Sequence, residues 1–195
     1  MRVTFTRFPK GQRAWSLVER DDGVAYRMDG PSVRGKLPHD LIHLTVERTL
    51  GIADGIWGAI AAGAVFESMH HHAGRRPPHA AEHSAALIRA NGASLHAAEL
   101  VGGLAERIAD TPPPTPADVV RQAEEYLQWL DGTVDLARLE VAAAAVREAT
   151  ENWHAVPVGG QVVAWWPARL RMAPVPARRT ARSGVRARPT ARRTA

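Results

Sequence analysis

Apolar and polar residues alternate at Val3/Phe5, at Trp15/Leu17 and at Val24/Tyr26/Met28, the period of strands with one covered face. Asp21-Asp22-Gly23 stands between the last two segments and has the composition of a tight hairpin turn. The first thirty residues therefore predict a small antiparallel sheet of two or three strands. After residue 37 the period becomes helical. Pro38 suits a first helical turn, Asp40 lies near the positive end of the helix dipole, and Leu50-Gly51 forms a stop. The apolar residues of this helix fall on two arcs, Ile42/Val46/Leu50 and Leu41/Leu44, which predicts a central position.

Asp54 can cap a second helix over residues 55–69, whose run of Gly and Ala permits close approach by a neighbour at some cost in intrinsic helicity. Residues 70–78 read as a loop rich in His and Arg. Helices follow over residues 78–90 and 94–109, divided by Asn91-Gly92. Residues 111–116 form a stiff Pro-rich linker. Helical spacing of Val119, Val120, Ala123, Tyr126, Leu127 and Leu130, and then of Leu136, Leu139, Ala143, Val146 and Trp153, predicts an antiparallel helical pair over 117–153. Residues 161–166 alternate again, as a strand that adds an edge to the N-terminal sheet. The expected fold is α+β: one domain over residues 1–167, a small antiparallel sheet packed against about five helices, with residues 168–195 as an appendage.

The chain of 195 residues and 21.1 kDa has 45% hydrophobic and 23% charged residues, the balance of a globular domain. It contains no cysteine, which excludes disulfides, thiolate metal sites and cysteine nucleophiles. The net charge of +5 is unevenly spread. Residues 168–195 hold nine Arg and no acidic residue, so the body stands at −4 and the tail at +9. With almost no large apolar side chains from about residue 174, the tail is expected to be disordered. Its Arg178, Arg179, Arg182, Arg186, Arg188, Arg192 and Arg193 are candidates for non-specific nucleic-acid contact through phosphates. The N-terminus lacks the apolar core of a signal peptide, and no uncharged run reads as a membrane span. A cytoplasmic location without membrane contact is the expectation.

The block Leu37-Pro38-His39-Asp40-Leu41-Ile42-His43, with Glu47, Leu50-Gly51, Gly55, Trp57-Gly58 and the segment 61–66, resembles a group of small uncharacterised proteins from high-GC, actinobacterial-type bacteria. The similarity extends to Asn91-Gly92, roughly half the chain. It implies a common fold and assigns no activity, cofactor or catalytic residue.

Two histidine pairs carry the candidate chemistry. His39 and His43 are one helical turn apart, as two imidazoles gripping one divalent ion must be. Asp40 between them makes a near miss to the metalloprotease pattern, which requires the longer Glu. His79-Ala80-Ala81-Glu82-His83 matches an inverted zinc motif in letters, and it follows His70, His71 and His72. If the two helices lie side by side, His39, His43, His79 and His83 can hold a zinc-like ion, with Glu82 or Glu47 as catalytic candidates. The bland alternatives are a hydrogen-bonded core pair, an exposed loop and a solvated helical turn. Gly102-Gly103 and Gly159-Gly160 lack the context of phosphate loops, no serine has nucleophile-elbow spacing, and Trp165 and Trp166 must face opposite ways. Two classes follow. The first is an intracellular binding or interaction protein, non-enzymatic, with a protein partner or nucleic acid held through the tail. The second is a His-ligated metalloprotein, with a zinc-dependent hydrolase as its enzymatic form.

Overall fold

The computed structural model describes residues 1–10, 12, 14–30, 37–110, 115, 117, 121 and 136–174. Strands β1 (Arg2–Thr6), β2 (Trp15–Glu19) and β3 (Ala25–Asp29) form the expected antiparallel meander. Its hairpin closes where Gly23 takes φ 79 and Asp22 Oδ1 accepts the Val24 N–H at 3.1 Å. Alternation sends Val3, Phe5, Val18, Tyr26 and Met28 to the inner face, where all are buried.

Two further strands complete the sheet in the order β4-β3-β2-β1-β5. Strand β5 (Gln161–Trp165) pairs antiparallel with β1, so the C-terminal alternation does supply an edge. Trp165 is 62% exposed, whereas Trp166 just beyond the strand is 2% exposed, the opposition that adjacent residues of an extended chain require. Strand β4 (Met69–Ala73) replaces the expected loop at residues 70–78. Met69 faces Met28 and is buried, while His70 and His71 contribute backbone pairing with β3, His72 falls at a bulge opposite Ala25/Tyr26, and all three histidines remain exposed.

The helices cover the inner face. Helix α1 (His39–Leu50) ends at Gly51, whose φ of 72 lets its N–H reach Glu47 O. Helix α2 (Ile56–Ala62) is shorter than the expected 55–69, because Gly63 turns at φ 118 and the Ala64 N–H bonds back to Ala59 O at 2.9 Å. Helices α3 (Ala80–Ala90) and α4 (Gly92–Ala109) follow, and α5 (Leu136–Ala155) is the second half of the expected pair. Most of the first half, and the tail from residue 175, lie outside the described residues. The fold is α+β, with five α-helices and a five-stranded antiparallel sheet among the described residues.

Helix α1 packs against α2, α4 and α5. Leu41, Ile42, Leu44, Val46 and Leu50 share one core with the inner face of the sheet, with Trp57 of α2 and with Leu104 and Leu139. This enclosure buries His43 and Glu47 as well. Two ionisable groups are thus carried inward by a helix that is covered on nearly every side. Among the described residues, no helix is long and apolar enough to cross a membrane.

Candidate metal centre

The i,i+4 spacing in α1 stacks His39 above His43, with ring centroids 4.4 Å apart. Their Nε2 atoms approach to 3.2 Å. From α4, Glu99 brings Oε2 to 3.4 Å from His43 Nε2. One ligand atom from each of His39, His43 and Glu99 therefore lies within 4.8 Å of the other two. A tetrahedral ion with bonds of about 2.0–2.1 Å holds its ligand atoms about 3.3 Å apart, and the 3.2 and 3.4 Å separations bracket that edge.

The two imidazoles are set by their surroundings, while the Glu99 carboxylate is 48% exposed. The His43 ring lies against α4 at Gly102, where a Cβ would fall 2.5 Å from Nδ1. Glu99 and Gly102 are three residues apart on one helix and so share a face: one supplies a carboxylate and the other makes room for the imidazole. Burial lowers the His43 pKa to about 4, with the neighbouring His39 adding to the effect. The ring is neutral at physiological pH, the state a metal ligand needs. Its Nδ1 is buried with no hydrogen-bond partner among the described residues. His39 is half-exposed at the mouth, and the Asp40 carboxylate lies 3.6 Å from its Nδ1. That carboxylate raises the His39 pKa, against the effect of burial, and Glu99 and Glu106 of α4 add to it. A proton held on Nδ1 toward Asp40 leaves the Nε2 lone pair facing His43 and Glu99, the carboxylate–histidine arrangement found behind metal-bound imidazoles.

The other sequence candidates fall elsewhere. Glu47 directs its carboxylate to the start of α2, accepting the Ile56 N–H at 3.2 Å and the Trp57 N–H at 3.0 Å. A Cβ at Gly55 would stand 2.6 Å from Glu47 Cδ, so this carboxyl is walled in. Burial pushes its pKa up to about 8 despite those two hydrogen bonds. Its role is a helix cap rather than a base beside His43. His83 packs on Gly63, and its Nε2 donates to Ala62 O at 3.2 Å. His79 begins α3 at φ 57, and Glu82 is exposed in the first turn. His79 and His83 thus sit at the far end of α2 and do not join His39 and His43, since α4 rather than α3 lies beside that pair. His70 Nε2 lies 3.6 Å from Asp29 Oδ2, and His71 Nε2 donates to Gly74 O at 2.8 Å. The seven tail arginines are outside the described residues.

Sequence reasoning missed Glu99. Its signal was a carboxylate one turn before a helical glycine, and it becomes legible only once α1 is known to pack on α4. In comparisons with known proteins, no family model, curated protein or solved structure matches the chain.

Proposed function

We propose that this protein binds a zinc-like divalent ion through His39 Nε2, His43 Nε2 and Glu99, leaving the fourth tetrahedral position to water or to a ligand supplied from outside. The observation that carries the reading is the convergence of His43 Nε2 on His39 Nε2 at 3.2 Å and on Glu99 Oε2 at 3.4 Å. In the absence of an ion, this convergence is hard to satisfy by hydrogen bonds alone. If His43 Nε2 accepts a proton from His39, it turns a lone pair toward the Glu99 carboxylate. If it donates to Glu99, the buried Nδ1 becomes an acceptor without a donor among the described residues. A cation at the meeting point would bond both Nε2 atoms and the carboxylate together; His43 Nδ1 then keeps its proton and stays unpaired among the described residues, so the separations and not Nδ1 carry the reading.

Three protein ligands with one open position is the arrangement that a metal-activated water uses in hydrolysis. Binding is the function proposed, because the sequence candidates for a general base, Glu47 and Glu82, do not belong to the cluster. Metal analysis of purified, tag-free protein tests the reading. Bound zinc should be lost in His43→Ala and Glu99→Gln and retained in His83→Ala.

A further inference from the structure

The two edges of the sheet differ. Edge strand β4 carries a bulge and exposed histidines, devices that discourage another strand from pairing with it. Edge strand β5 has no charge, proline or bulge over residues 161–165. Its pairing with β1 fixes the direction of its backbone groups. Trp166 N–H donates to Met1 O at 2.9 Å, the Met1 amine donates to Trp166 O at 3.3 Å, and Arg7 N–H donates to Gly160 O at 2.9 Å. In this antiparallel register the bonded pairs recur at every second residue, at Val3/Ala164 and Phe5/Val162. The N–H and C=O groups of Gln161, Val163 and Trp165 therefore point away from β1, where no strand pairs with them among the described residues. On the outer face of the same strand, Val163 is 49% and Trp165 62% exposed.

An edge of this kind is completed by another strand, and the side chains select which. Val163 and Trp165 are two residues apart. An antiparallel copy of β5, related by a two-fold axis at Ala164, sets each Val163 opposite the partner's Trp165, an aromatic–β-branched pair on both sides of the axis. The same register closes two backbone hydrogen bonds in each of those pairs. Charge does not oppose it, because Arg2, the neighbour of Trp165 on β1, is already paired with Glu19 at 2.5 Å. The chain's own tail is a poor match: residues 175–195 hold seven Arg and, as large apolar residues, only two Val.

We propose that β5 is a self-association edge, through which two copies of this chain join their sheets into one continuous antiparallel sheet. Val163 and Trp165 lie outside the core, so the seam drives association and each copy folds on its own core. Sedimentation equilibrium of the full chain tests the proposal, with the wild type expected to approach twice the mass of the chain as concentration rises. Val163→Pro removes an N–H that β1 does not use, so each sheet keeps its ladder. It takes one hydrogen bond per copy from the seam and should raise the dissociation constant about tenfold. Val163→Asp should do the same by setting a carboxylate against the partner's indole, which covers a failure of the proline variant to fold. The chain has no cysteine, so oxidation of Ala164→Cys reads the register: a non-hydrogen-bonded antiparallel pair holds its Cα atoms about 4.5 Å apart, within disulfide reach, and a covalent dimer is expected. A wild type that stays monomeric up to about 0.1 mM, a dissociation constant unchanged in the folded Val163 variants, or a link formed by Val163→Cys and not by Ala164→Cys would overturn the proposal. None of these residues is a ligand of the His39/His43/Glu99 cluster, so the two readings fail independently.

Discussion

The imidazole of His43 occupies the space that a side chain at position 102 would need. A Cβ on Gly102 would lie 2.5 Å from His43 Nδ1, and His43 is 4% exposed. A glycine inside an 18-residue helix ordinarily costs about 1 kcal/mol relative to alanine, so propensity alone makes Gly102→Ala stabilising. Packing reverses the sign. We expect Gly102→Ala to lose about 1–3 kcal/mol, as overpacked cores do, and to bind zinc more weakly because the ring must turn away from Glu99. Denaturant unfolding and a zinc titration of the same variant check both. A more stable variant with unchanged zinc affinity would mean that Gly102 does not set the His43 position.

Glu47 supplies a pH-dependent contribution to stability. The group titrates near 4.5 when unperturbed and is pushed up to about 8 in the folded protein, chiefly by burial. Between those values the folded protein keeps a proton that the unfolded chain has released, so stability falls as pH rises. The contribution is complete below about pH 4.5 and is lost as pH passes through about 8. Glu47→Gln keeps a neutral group at the start of α2 and removes the titration. The thermal midpoint of the wild type relative to Glu47→Gln should therefore decline steadily between those limits. Parallel midpoints across the range would show that the carboxyl does not stay protonated in the fold.

Strands β1, β3 and β5 were legible because period-two alternation records their covered face; β2 was placed from Trp15 and Leu17, but the structure turns Ser16 and Val18 inward and leaves those two half-buried. The stop of α1 was legible from a glycine at its end. Strand β4 was not, since Met69 is its one buried residue and the pairing of His70 and His71 with β3 is made by backbone atoms that leave no mark in composition. The end of α2 was missed for a related reason: an Ala- and Gly-rich run is compatible with helix throughout, and only the φ of Gly63 shows where it turns. At the candidate site, His39 and His43 could be found by local spacing. Glu99 could not, because it reaches them through the packing of α1 on α4. The inverted motif at His79 and His83 matched in letters, but the helix bearing it meets α2 at Gly63 rather than α1.

Adjacent tryptophans should respond oppositely to truncation. Trp166 is 2% exposed, and its Nε1 donates to Leu170 O at 3.0 Å, whereas Trp165 is 62% exposed on edge strand β5. Trp166→Ala should cost about 3–5 kcal/mol, as for a buried aromatic. Trp165→Ala should cost less than about 1 kcal/mol. Urea unfolding of the two variants compares them directly, and equal costs would contradict the orientation of β5.

The most direct test of the metal reading is the zinc content of tag-free protein after dialysis against trace zinc, measured by plasma mass spectrometry for the wild type, His43→Ala, Glu99→Gln and His83→Ala. The account predicts close to one ion per chain in the wild type and in His83→Ala, and a marked loss in the other two variants with folding retained. A wild type that retains no zinc, or a loss in His83→Ala equal to that in His43→Ala, would contradict it.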